Sequence, residues 1–261
     1  MLALFAGEGR LPNLIEERLE REGERCIRLD LNGNDAARSV SLNTLGSTLI
    51  SLKAKGCQRI CLAGRVDRRA LQLNNPDEET RALLPVLAKA LQRPDGGALE
   101  KVHALLEMQG FQVVAAHDVC PDLLPEPGIL TQAAPGDADV PDVDRAFAVL
   151  DQMGIADVGQ GCVVENGQVL ALEALPGTDF MLQTVARFRG TCPKGGVFAK
   201  AAKAGQDLRS DMPVIGEDTA EAVCAAGLAG IVVKAGEVMV LDREAVVARL
   251  NKEQRFLWVR P

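Results

Sequence analysis

Short apolar runs that end in glycine, each followed by a stretch of helical periodicity, constrain this chain more than any other feature. Leu2–Ala6 is one such run and stops at Gly7; residues 14–19 then repeat apolar side chains at helical spacing among Glu and Arg and stop at Gly23. Residues 26–31 alternate as a strand. Residues 41–55 read as a helix ended by Gly56, and 59–62 as a strand running into Ala63-Gly64. Residues 77–91 read as a helix that Pro85 should kink or break, because proline lacks an amide hydrogen and clashes with the preceding turn. Residues 98–109 are helical and 111–116 a strand. Continuous apolar runs fit strands covered on both faces, and parallel neighbours need helical crossovers. The pattern predicts an α/β chain whose N-terminal domain, 1–130, is a Rossmann-like parallel sheet.

The composition then shifts. Between Cys120 and Pro141 stand Pro121, Pro125, Pro127 and Pro135 among Ala, Gly and Asp, with little periodicity. Residues 130–139 read as a proline-rich linker. A second domain, 140–261, opens with a helix at 143–153. Residues 162–172 are two apolar runs joined across Asn166-Gly167, the signature of a type I′ hairpin. Thr178 reads as the cap of a helix to Phe188, with strands at 196–199, 230–233, 238–241 and 256–259 and helices at 217–226 and 243–250. This is a second α/β domain with a mixed sheet.

Composition removes several functions. Twenty-nine Lys and Arg against 36 Asp and Glu give a net charge of −7, whereas nucleic-acid binding needs a clustered basic excess. The chain has no Tyr, one Trp and two His, which leaves little for base stacking or a His-rich metal centre. Seven scattered cysteines without a C-x-x-C pair fit small buried hydrophobes in a reducing compartment. Met1–Gly7 is apolar but lacks a basic flank, so no signal peptide is expected and the protein reads as cytoplasmic.

Chemistry is expected where strands end, because open α/β sheets bind ligands there. Ala6-Gly7-Glu8-Gly9-Arg10-Leu11-Pro12 joins a strand to a helix, and glycines at such a turn let backbone amides approach a phosphate. Pro12 stands where a dinucleotide fingerprint needs its third glycine. Ala63-Gly64-Arg65 follows the third strand, with Arg68 and Arg69 close behind. Asp157-Val158-Gly159-Gln160-Gly161 and Gly177-Thr178-Asp179 suggest an anion or hydroxyl site, although capping alone explains Thr178 equally well. Residues 200–213 form a polar loop in which Lys200, Lys203, Gln206 and Arg209 surround Asp207 and Asp211. A carboxylate among cations suits one Mg²⁺ with phosphate charge on the cations, and a solvated loop is the other reading. Asp211 is the stronger candidate of the two, since Met212-Pro213 stiffens its backbone. His117-Asp118 follows a strand, where adjacent side chains point to opposite faces, so a proton relay between them is disfavoured. His103 lies in an amphipathic helix and reads as structural.

Taken together, these turns, with Ala116-His117-Asp118, Glu173 and Gln206-x-x-Arg209-x-Asp211-Met212-Pro213, resemble the UDP-2,3-diacylglucosamine pyrophosphatases unrelated to calcineurin-like phosphoesterases. The likeness covers nearly the whole chain. It implies a two-domain cytoplasmic enzyme of lipid A biosynthesis that hydrolyses UDP-2,3-diacylglucosamine to 2,3-diacylglucosamine 1-phosphate and UMP, with Mg²⁺. It implies Asp211 as the catalytic, metal-associated carboxylate. Gly7, Gly9, Arg10, Leu11, Gly64, Arg65, His117, Gly159, Gln160, Thr178, Lys200, Lys203, Gln206 and Arg209 fall to the substrate. Arg65 departs from the family, which more usually has Asn or Lys after Ala-Gly. The partners implied are the lipid-linked nucleotide sugar, a transient contact with the inner-membrane surface and a second copy in a homodimer, and no nucleic acid. With few aromatics, backbone and amide groups are expected to hold the uracil, and Lys and Arg to gather at the site mouth. A non-catalytic nucleotide-sugar-binding module is the alternative; it would share the glycine turns without needing the Asp211 loop. A dehydrogenase is disfavoured by Pro12 and by the lack of an acid–base set.

Overall fold

The computed structural model describes residues 1–33, 38–66, 73–91, 97–190 and 195–261. Arg68, Arg69 and Cys192, singled out in the sequence, lie outside them. The chain divides into two compact units: Met1–Pro121 with Asp207–Asp211, and Asp122–Gln206 with Met212–Pro261.

The first unit is built on β1 (Leu2–Ala6), β2 (Cys26–Asp30), β3 (Arg59–Ala63) and β4 (Gln112–Val114). All neighbours pair in parallel, in the order β2-β1-β3-β4. Every residue of β1 is buried, as a central strand covered on both faces requires. Helix α1 (Leu11–Arg21) and the short α6 (Ala116–Val119) lie together on one face. On the other face α2 (Leu45–Ala54), α4 (Leu84–Leu91) and α5 (Gly97–Met108) bring Leu49, Leu52, Leu87, Leu105 and Leu106 against Ala3, Phe5 and Ile60. Pro85 does break the predicted 77–91 helix: α3 (Glu78–Arg81) ends before it, and α4 begins with Pro85 as its second residue, where the missing amide hydrogen costs nothing.

The second unit centres on six strands in the order β5-β12-β10-β8-β6-β7. These are β5 (Gly128–Ile129), β6 (Gly161–Glu165), β7 (Gln168–Leu172), β8 (Val197–Lys200), β10 (Gly230–Lys234) and β12 (Phe256–Arg260). The three central strands β12, β10 and β8 are parallel; β5, β6 and β7 run antiparallel to their neighbours. The hairpin turns at Asn166 and Gly167, both with positive φ, as a type I′ turn demands. The buried carboxylate of Asp142, on α7 (Asp139–Ile155), accepts both turn amides at 2.9 and 2.6 Å. Helices α8 (Thr178–Arg189), α9 (Glu217–Ala225) and α10 (Arg243–Lys252) cover one face through Leu182, Val185, Val223, Val246 and Leu250. α7 covers the other with Val143, Ala146, Leu150 and Met153. The strand expected at 238–241 is β11 (Met239–Val240), which leaves the main sheet and pairs in parallel with β9 (Val214–Ile215).

The boundary at Pro121/Asp122 falls inside the proline-rich stretch. The part of it read as a linker is tied into the second unit. Leu130 N donates to Leu257 O, the Thr131 hydroxyl accepts from Leu257 N, and Gln132 N donates to Asn251 Oδ1. No helix among the described residues is long and apolar enough to cross a membrane.

Candidate functional site

In the first unit the glycine turns meet at the C-terminal ends of the parallel strands. The order β2-β1-β3-β4 reverses direction between β1 and β3, which is where a doubly wound sheet usually opens a ligand crevice. Here the loops after β1 and β3 are joined by backbone hydrogen bonds. Gly7 N donates to Ala63 O, while Glu8 and Arg65 exchange N–H···O bonds of 2.7 and 2.9 Å. A Cβ on Gly7 would stand 2.5 Å from Arg65 O, and one on Gly64, whose φ is +89°, 2.7 Å from Glu8 O. Gly7 and Gly64 are therefore small because two loops cross there, and Gly7, Glu8 and Arg65 have already spent their amides. Gly9, at φ +105°, faces open space, Arg10 pairs with Glu17, and Leu11 is buried as the first residue of α1. Arg65 is 85% exposed and only loosely paired with Glu8.

His117 and Asp118 do follow a strand, but β4 stops at Val114 and the pair stands in the helical turn of α6. The relay is absent for a different reason from the one predicted: Asp118 accepts the Ala115 amide at 2.9 Å and so caps its own turn. His117 Nδ1 is buried and has no hydrogen-bond partner.

In the second unit the predicted residues converge on Lys200, at the end of β8. Its ammonium is buried and donates to Thr178 Oγ1 at 2.8 Å and to Val214 O at 3.1 Å. The Thr178 hydroxyl donates onward to Glu173 Oε2 at 3.0 Å, which lies 3.8 Å from the Lys200 nitrogen. Burial lowers the Lys200 pKa from its ordinary value, and Glu173 and Asp179 oppose that shift. Thr178 is thus not a helix cap. That position belongs to Gly177, at φ +87°, and the hydroxyl is held in the Lys200–Glu173 network. Gly159 and Gly161 serve Glu173: Cβ atoms there would stand 2.1 Å from Glu173 O and 2.5 Å from Glu173 Oε2. Glu173, which sequence reasoning left without a role, is the carboxylate that these glycines and Thr178 surround. Its only signal is its place between a Gly-x-Gly and a Gly-Thr.

The loop at 200–213 divides its polar groups. Gln160 Nε2 donates to Gln206 Oε1 at 2.8 Å, and the same oxygen accepts Lys203 N. The Lys203 ammonium pairs with Asp157, which is half exposed. Residues 207–211 fold with the first unit. There Asp207 takes Arg209 Nη2 at 2.7 Å and His103 Nδ1 at 2.9 Å on Oδ2, and Arg209 N at 3.0 Å on Oδ1. Arg209 Nη1 donates to Glu107 at 2.7 Å. Arg209 beside Asp207 holds that carboxyl well below the usual carboxylate range. Asp207 O accepts the Asp211 amide at 3.2 Å, closing the turn that carries Asp211. The three cations expected to gather at one mouth each have a carboxylate of this chain beside them.

Two family models match in sequence order, the LpxI N-terminal domain over residues 1–123 and the LpxI C-terminal domain over 126–258. The chain belongs to the LpxI family. A curated LpxI relative from Caulobacter vibrioides, named UDP-2,3-diacylglucosamine pyrophosphatase, is 36% identical over 259 residues, covering 95% of this chain and 92% of its own.

Proposed function

We propose that this chain hydrolyses the pyrophosphate bond of UDP-2,3-diacylglucosamine, giving 2,3-diacylglucosamine 1-phosphate and UMP in lipid A biosynthesis. The observation that carries the reading is the end-to-end relationship, both LpxI domains in order, to a UDP-2,3-diacylglucosamine pyrophosphatase. In the reaction, water oxygen forms a bond to one phosphorus as the bond from that phosphorus to the bridging oxygen breaks. The bridging oxygen leaves with the other phosphate, and water gives up its protons.

Such a reaction asks a protein mainly for placement and for charge opposite the phosphates. Asp211 is the carboxylate assigned to the reacting group, on a turn held by Asp207. Lys203 is the cation best placed to exchange its partner for a phosphate oxygen. Lys200 is a buried donor whose position is fixed by Thr178, which accepts from it and donates to Glu173. Arg209 is committed to Asp207 and Glu107, so its role is to shape the turn.

Magnesium suits the donors on hand. Mg²⁺ keeps several waters and takes one or two carboxylates plus substrate phosphates, whereas a dimetal or zinc centre needs a gathered set of His, Cys and carboxylates. Among the described residues no group of three or more such side chains is gathered. Asp207 is engaged by His103 and Arg209, and Asp211, the carboxylate that the family resemblance assigns to the metal, is the residue that would hold the ion. Bound there, Mg²⁺ supplies positive charge to the pyrophosphate oxygens.

The enzyme works from the cytoplasm, touching the inner-membrane surface to reach a diacylated substrate. Leu172, Leu175, Phe180 and Phe188, exposed on β7, the following loop and α8, support such a contact. The test is UMP release from UDP-2,3-diacylglucosamine with and without EDTA. Release that EDTA abolishes and added Mg²⁺ restores is expected; binding without turnover would overturn the reading.

A further inference from the structure

His103 looks structural in the sequence, a lone histidine on a core-facing helix stripe, and it is fully buried. Its partner is not what a core histidine usually finds. Nδ1 faces the Asp207 carboxylate at 2.9 Å, so Nδ1 carries the proton. One helical turn further along α5, Glu107 meets Arg209 at 2.7 Å. Two residues on one face of α5 therefore grip two residues of the 207–211 turn, and His103 holds the one on which the turn depends. Asp207 ties this turn at both ends of its own structure. Its carboxylate accepts the Arg209 amide, and its carbonyl accepts the Asp211 amide.

We infer that His103 is a positioning residue for the pyrophosphatase reaction: its Nδ1–H fixes the Asp207 carboxylate, and Asp207 in turn fixes the turn that presents Asp211. The inference rests on the proposed function for the identity of the reaction, while the clamp itself is a property of the first unit. Asp207 has other donors, and Arg209 alone could keep it ionised. Arg209, however, is only two residues away and moves with the same turn. His103 and Glu107 are the contacts that anchor the turn to a helix outside it. Of these, Glu107 and Arg209 are 48% and 41% exposed, so that pair is screened and weak, whereas His103 is 1% and Asp207 18% exposed. Loss of the His103 bond should let the turn shift as a body. A displacement of about 1 Å at a reacting group can cost on the order of a hundredfold in rate.

The experiment compares full-length His103→Asn, His103→Gln and His103→Leu with wild type. Asn places its amide N–H as many bonds from the backbone as Nδ1; Gln places it where Nε2 was, and Leu removes it. Two quantities are read: steady-state kinetics on UDP-2,3-diacylglucosamine in Mg²⁺, and amide hydrogen exchange across residues 207–211 without substrate. For Gln and Leu we expect kcat down about tenfold to a hundredfold with KM within about threefold. Exchange at the Arg209 and Asp211 amides should rise about tenfold or more. Asn should stay within about threefold of wild type in both. Wild-type kcat and exchange in the Gln and Leu variants would overturn the inference, as would an Asn variant as impaired as Leu, because packing and not the hydrogen bond would then matter. If the leucine variant does not fold, the contrast between Asn and Gln decides. If wild type releases no UMP, the proposed function fails while the exchange readout still decides the clamp.

Discussion

At the scale of single residues, the glycines are small because backbone passes close to them. Gly7 and Gly64 let two loops cross, and Gly159 and Gly161 make room for Glu173. A sequence reading sees such glycines as phosphate cradles, since a Gly-x-Gly at the end of a strand looks the same whichever atom approaches it. Gly159→Ala should therefore act on stability before it acts on binding. Its Cβ would stand 2.1 Å from the Glu173 carbonyl oxygen, a backbone atom that cannot swing aside. We expect a loss of about 1–3 kcal/mol in urea unfolding, the usual cost of overpacking. A variant with wild-type stability and weakened substrate affinity would instead return Gly159 to the ligand. Lys200 and Thr178 were readable as polar residues at a strand end and a helix start. Glu173, which organises them, was not, because nothing local in its sequence distinguishes it from a solvated carboxylate.

At the scale of elements, alternation and helical period located nearly every strand and helix, since those signals come from which side chains must be buried. What they missed are segments held by particular hydrogen bonds: the Ala116–Val119 turn, the β5 edge tied to Leu257, and the 207–211 turn. The 207–211 turn makes a pH prediction. The Asp207 pKa is lowered in the folded chain, chiefly by its hydrogen bond to Arg209. Because the folded state holds that proton more weakly than the unfolded state does, the stabilisation is complete above the ordinary carboxylate range near 3.9. It is lost as pH falls through the lower folded value. Hydrogen exchange at the Arg209 and Asp211 amides, corrected for intrinsic rates, should stay level from pH 7 to about 5. In Asp207→Asn, protection should be reduced throughout that range and show no such dependence at lower pH. Protection in wild type that declines already between pH 7 and 5 would contradict the assignment.

At the scale of the whole molecule, two α/β units were legible from the alternation in each half and the prolines between them. The path of the chain was not. Residues 207–211 interrupt the second unit in sequence yet fold with the first, through a contact that spans 104 positions between His103 and Asp207. No periodic signal reports a pairing at that separation, so Asp207 looked like the lesser of two loop carboxylates. The central claim is that this LpxI-family chain cleaves a nucleotide-sugar pyrophosphate with Asp211 as its essential carboxylate. Its most direct test is UMP release from UDP-2,3-diacylglucosamine by wild type and Asp211→Ala at saturating Mg²⁺, with melting temperatures measured alongside. The account predicts a variant that melts like wild type and turns over at least about a hundredfold more slowly; a folded Asp211→Ala enzyme working at the wild-type rate would contradict it.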